Sequence, residues 1–108
     1  MLNMNIKTTE SNGYTKITIM KERFDVASMQ EIKEEISKII ETKHKILLDM
    51  SIVTFLDSSG LSVLIGVLKT LNKIDNSDLK LCELREQPAE LMEITQLYNV
   101  FNLVKECK

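Results

Sequence analysis

Apolar positions along the chain change their period several times, and each change marks an element. Leu2, Met4, Ile6 and Thr8 alternate with Asn3, Asn5 and Lys7, the period of a strand with one buried face. Asn12-Gly13 follows, a pair that tolerates positive φ, so a tight hairpin should lead into a second, antiparallel strand over Tyr14 to Met20. A polar connection from Lys21 to Val26 then reaches Ser28-Met29-Gln30-Glu31, whose Ser and Glu three apart predict a capping box. From there Met29, Ile32, Ile36, Ile39 and Ile40 recur at helical spacing. Lys33, Glu34, Glu35, Lys38 and Glu41 fall outside that stripe, which predicts an amphipathic helix ending near Thr42.

The next run, Ile46-Leu47-Leu48-Asp49-Met50, is apolar on both faces, as a strand covered on each side or paired in parallel should be. It leads through Thr54-Phe55-Leu56 into Asp57-Ser58-Ser59-Gly60. Leu61, Leu64, Leu68 and Leu71 then predict a second helix from about Ser58 to Ile74. Val63, Ile65 and Val67 widen the apolar surface of this helix beyond one packing face, leaving the excess either to burial or to a partner. Asp57 or Ser58 is a natural N-cap, because its side-chain oxygen can accept from the N–H groups that a first helical turn leaves unpaired. A phosphoryl group on Ser58 would face the same N–H groups and the positive end of the helix dipole.

Asp75-Asn76-Ser77-Asp78 is a turn cluster, after which Leu79, Leu81 and Glu83 alternate with Lys80 and Cys82 in a further strand. Pro88 suits the first turn of a third helix, with Leu91, Met92, Ile94 and Leu97 as its buried side. Asn99 can take a left-handed cap, and a last short strand fits Phe101 to Val104. The order β-β-α-β-α-β-α-β predicts an α/β single domain over residues 1–108, a mixed sheet of about four or five strands packed with helices. The strand-to-helix turn at mid-sequence is where such folds place function.

Composition narrows the chemistry. Net charge is -2, with 14 basic and 16 acidic residues mixed along the chain, so there is no electrostatic footprint for direct nucleic-acid binding. The start lacks the pattern of a signal peptide and no stretch approaches about 18 uninterrupted apolar residues, which predicts a soluble cytoplasmic protein with no membrane association. Cys82 and Cys107 have neither CxxC nor zinc-ligand spacing and are expected as two reduced thiols, with no metal. A catalytic serine is disfavoured because the motif is not G-x-S-x-G, and the only histidine, His44, stands at the far end of the preceding strand as a loop residue. Gly13, Gly60 and Gly66 form no phosphate-binding loop, so no cofactor and no enzymatic activity are expected. Asp49 ends an apolar strand as the phosphoacceptor of a receiver domain does. A receiver, however, begins with a strand and a helix and needs an acidic pair near its start, where this chain has a hairpin and Lys21-Glu22-Arg23.

The hairpin, the connection ending in Asp25, the amphipathic helix, the buried strand and the run Phe55-Leu56-Asp57-Ser58-Ser59-Gly60-Leu61 together resemble the STAS domain. Within it, they are most similar to the bacterial anti-sigma factor antagonists, over nearly the full length. The resemblance implies that Ser58 is phosphorylated by a partner that is both serine kinase and anti-sigma factor, and that a PP2C-type phosphatase removes the phosphate. Asp57, Ser59 and Gly60 match the recognition loop around that serine. Asp25 matches the acidic residue that faces the kinase, and Asn99-Val100-Phe101 falls where the family often has Gly-Leu-Phe. Glu22 stands where the family usually has glycine. A monomer or weak dimer is expected, with sigma-factor release as the output. An accessory subunit of a transporter, or a scaffold subunit of a signalling assembly, would use the same fold without phosphorylation.

Overall fold

The structure is a computed structural model that describes residues 5–107; Leu2 and Met4, placed in the first strand by their alternation, lie outside the described residues. Seven strands and three helices follow in order: β1 (Ile6–Ser11), β2 (Tyr14–Ile19), β3 (Arg23–Phe24), α1 (Met29–Ile40), β4 (Lys45–Asp49), β5 (Phe55–Leu56), α2 (Ser58–Asn72), β6 (Asp78–Cys82), α3 (Glu86–Ile94) and β7 (Asn102–Val104). A short 3-10 helix, Leu97–Asn99, precedes the last strand.

Five strands form one mixed sheet in the order β1-β2-β4-β6-β7. Asn12 and Gly13 both adopt positive φ, 53° and 85°, and turn β1 back onto β2 with Ser11 opposite Tyr14. The remaining pairs are parallel, each needing a crossover through a helix. β4 lies mid-sheet between β2 and β6, which accounts for its two apolar faces. β1, at the edge, exposes Lys7 to Glu10 and so buries less than its alternation predicts.

Ile46, Leu48, Leu79 and Leu81 join Ile17 and Ile19 of β2 in a core closed by Ile32, Ile36 and Ile40 of α1 and by Leu61, Leu64 and Leu71 of α2. By the two-residue period of a strand, Leu47, Asp49 and Cys82 project from the opposite face. The wide apolar surface of α2 is used inside the fold: Val63 and Val67 are buried, Ile65 and Leu68 partly so, and the exposed positions are Ser58, Ser62, Gly66, Lys69, Thr70 and Asn72. No large apolar patch of α2 is left for a partner.

Several local expectations are corrected. Ser28 and Glu31 do not form a capping box, because the Ser28 hydroxyl donates to the Arg23 carbonyl (2.8 Å) and accepts from the Asp25 N–H (3.2 Å). Glu83 leaves the strand, at φ 57°, so β6 stops at Cys82. Pro88 lies in the first turn of α3 and is buried with Met92, whereas Ile94 is 79% exposed. The left-handed residue after α3 is Gln96, φ 62°, and Asn99 lies within the 3-10 helix. Cys82 and Cys107, expected as free thiols, are joined as a disulfide with Cα atoms 5.2 Å apart. Their 25-residue separation carries no local signal of proximity.

Candidate functional site

Ser58 is the first residue of α2 and is exposed. Its position is fixed by what precedes it. The Asp57 backbone is extended, and its Oδ1 accepts from the Ser59 N–H (2.9 Å) and the Gly60 N–H (3.0 Å), the N-cap geometry that satisfies the first-turn donors. Of the two candidate caps, Asp57 is therefore the cap and Ser58 the first helical residue. The carboxylate occupies the donors that a phosphate was expected to use. A phosphoryl group on Ser58 would share the positive helix end with a carboxylate already seated there.

The other Asp57 oxygen, Oδ2, accepts from the Val26 N–H at 3.3 Å, which ties α2 to the connection after β2. That connection is not the irregular loop its polar sequence suggested. Arg23 and Phe24 pair in parallel with Phe55 and Leu56, forming a two-stranded sheet that neither segment is long enough to announce by alternation. The fully buried Phe24 anchors it, burial being worth roughly 1.5–3 kcal/mol for such a side chain. The Glu22 carbonyl accepts from the Thr54 N–H (2.8 Å) and the Phe55 N–H (3.1 Å), and Glu22 is not among the residues of positive φ. Glu22, where the resemblance implied a glycine, thus takes its side chain without positive φ.

Gly60 is required by close approach. A Cβ on this residue would lie 2.3 Å from the Phe24 carbonyl oxygen and 2.7 Å from Leu56 Cδ1, so β3 can cross the first turn of α2 only because no side chain is present. Ser59 is half-buried and its carbonyl accepts from the Ser62 hydroxyl (2.7 Å), which leaves Ser58 the more accessible of the paired serines.

Asp25 stands on the same connection, one residue before the Val26 N–H that reaches Asp57. Its Oδ2 accepts from Arg23 Nε (3.1 Å), its Oδ1 from the Ala27 N–H (3.1 Å), and its carbonyl receives the Ser28 and Met29 N–H groups at the start of α1. Desolvation pushes the Asp25 pKa up, but the Arg23 and Ala27 hydrogen bonds and the Arg23 charge outweigh it and hold the carboxyl below its ordinary value of 3.8. The Arg23 guanidinium also lies 4.3 Å from the centroid of the Phe55 ring.

The structure thus gathers Asp25, Asp57, Ser58 and Ser59 around the start of α2, with Gly60 buried beneath them against β3. Arg23 and Phe55 join them, and the structure adds Val26 and Gln87, which the sequence did not single out. Val26 is 71% exposed beside Asp25, an apolar side chain directed to solvent within a polar connection. Gln87 of α3 donates to the Leu56 carbonyl (2.9 Å) and accepts from the Leu56 N–H (2.8 Å), holding the backbone just before the cap. His44 lies between α1 and β4, at the opposite end of β4 from this turn. Asp49 is 7% exposed and accepts from Thr18 Oγ1 (3.0 Å) and the Ser51 N–H (2.9 Å).

A sequence model of the STAS domain matches residues 5–107. The chain belongs to the STAS domain family. One relative is the anti-sigma-B factor antagonist of Staphylococcus aureus strain NCTC 8325, 27% identical over 103 residues and 94% of each chain. Among solved structures, an anti-sigma factor antagonist from Mycobacterium paratuberculosis superposes with a TM-score of 0.84 at 17% identity, covering 94% of this chain and 85% of that one. The phosphorylated form of the Bacillus cell fate determinant SpoIIAA gives a TM-score of 0.69 at 16% identity, covering 94% and 92%. The STAS fold is shared with these structures, and the Staphylococcus aureus relative is named an anti-sigma-B factor antagonist. Among the described residues no helix is long and apolar enough to cross a membrane.

Proposed function

We propose that this STAS domain is a cytoplasmic anti-sigma factor antagonist whose binding to an anti-sigma factor serine kinase is switched off by phosphorylation of Ser58. The observation that carries the reading is the exposure of Ser58 at the N-terminus of α2, with the Asp57 cap and the Asp25 connection hydrogen-bonded together beside it. The unphosphorylated protein presents the Ser58 turn, the Asp25 connection and Val26 to the kinase, which then releases its sigma factor. The name of the Staphylococcus aureus relative supports the class of partner.

A phosphoryl group adds about -1.5 to -2 charges to this surface, next to the Asp57 carboxylate and the charged Asp25. Repulsion between like charges and the cost of desolvating them in a close interface then weaken the complex. A PP2C-type phosphatase restores the binding form. The domain acts as substrate and switch, with no catalytic group of its own.

Titration of an anti-sigma kinase from the same cell tests this. The Ser58→Ala variant is expected to bind and to stay bound in ATP, and Ser58→Asp to lose at least tenfold in affinity. Equal affinity of wild type, Ser58→Ala and Ser58→Asp contradicts the switch.

A further inference from the structure

Cys82 ends β6 inside the sheet, fully buried, on the face opposite the α1–α2 core. Cys107 lies three residues beyond β7 and is only partly buried. The two are bonded, with Cα atoms 5.2 Å apart, inside the span of about 4.4–6.8 Å that a disulfide accommodates. Backbone pairing brings them together independently of the sulfurs. β7 lies in parallel register with β6, Cys82 opposite Val104, and the Glu83 N–H donates to the Lys105 carbonyl at 3.1 Å. The reduced protein therefore keeps the two thiols as neighbours.

The segment between the cysteines contains α3, the 3-10 helix and β7, and it carries Gln87. Gln87 holds both backbone groups of Leu56, the residue before the Asp57 cap. A bond between Cys82 and Cys107 fastens both ends of the segment that clamps the Ser58 turn. Asp49 stands within 4.8 Å of both sulfurs, but its carboxylate already accepts from Thr18 and Ser51.

We propose that Cys82 and Cys107 are a reversible oxidation site, closed by a low-molecular-weight disulfide and opened by thiols. The accessible Cys107 gives up its proton to water, and its thiolate attacks one sulfur of the small disulfide, expelling a small thiolate and leaving a mixed disulfide. The Cys82 thiolate then attacks Cys107 Sγ, forming the protein disulfide and expelling the second small thiolate. Two protein thiols lose two electrons and two protons, and the small disulfide gains them as two small thiols. The closed form steadies α3 and, through Gln87, the backbone that presents Ser58.

The full chain, equilibrated in buffers of graded oxidised to reduced glutathione, tests this by maleimide labelling with intact mass, thermal melting and amide hydrogen exchange. None of these readouts involves a kinase, so failure here is separable from failure of the Ser58 reading. Oxidised protein is expected to resist labelling, to be lighter by two hydrogen atoms and to melt on the order of 10 °C higher than reduced protein. Exchange of the Leu56 amide should slow several-fold. Cys107→Ser is expected to fold, and its melting should not depend on the buffer ratio. Full labelling of both cysteines at every ratio overturns the proposal, as does unchanged Leu56 exchange on oxidation. Stoichiometric zinc binding by reduced protein that resists oxidation, read with a metal indicator, assigns the pair to a metal instead and also overturns it.

Discussion

The Asp57 carboxylate joins two segments that lie far apart in sequence: one oxygen caps α2 through the Ser59 and Gly60 N–H groups, and the other receives the Val26 N–H at 3.3 Å. A single side chain thus starts the helix that carries Ser58 and positions the connection that carries Asp25. Asp57→Ala removes three hydrogen bonds and is expected to cost about 1–2 kcal/mol, whereas Asp57→Asn, which keeps an acceptor, should cost distinctly less. Urea midpoints of the three proteins check this, and an Ala variant as stable as wild type would remove the cap from the account.

Gly60 and Gly66 lie on the same helix and should respond to alanine with opposite sign. A Cβ at Gly60 meets the Phe24 carbonyl at 2.3 Å, a backbone atom held by the β3–β5 pairing, so Gly60→Ala should destabilise by roughly 1–3 kcal/mol through overpacking. A Cβ at Gly66 meets nothing within 4 Å, and Gly66→Ala should stabilise by about 0.5–1 kcal/mol through helix propensity. Thermal melting of both variants decides the matter.

Much of this site was legible in the sequence because its signals are local. The apolar run Ile46-Leu47-Leu48 and the leucine spacing after Gly60 identify the central strand and the helix, and the small polar residues between them mark the turn. Asn12-Gly13 fixes the hairpin for the same reason. What was hidden depends on contacts distant in sequence. β3 and β5 are two residues each, too short to show a period, and form only because Phe24 and Leu56 are buried side by side. The capping box at Ser28 is the exception, displaced by near neighbours, since the Arg23 carbonyl and the Asp25 N–H claim the hydroxyl. The clamp of Gln87 on Leu56 and the meeting of Cys82 with Cys107 arise from crossovers that no motif encodes.

Asp25 makes stability depend on pH at the acid end. Its folded pKa lies below the ordinary 3.8, so the charged form favours the folded state. This contribution is complete above the unfolded pKa and is lost as pH falls through the folded value, that is, below about pH 4. Asp25→Asn should flatten the acid limb of a stability-against-pH curve and change little in its shape near neutrality. Arg23 is 65% exposed, so added salt should shrink the difference between the two proteins. An acid limb identical in both would show that Asp25 does not contribute.

The central claim rests on the hydroxyl of Ser58. The measurement that tests it most directly is peptide mass mapping after incubation of the purified protein with an anti-sigma kinase of the same cell and ATP. One phosphate is expected, on Ser58, with Ser59 and Ser62 unmodified and no incorporation into Ser58→Ala. Phosphate on another residue with Ser58 untouched would contradict the account.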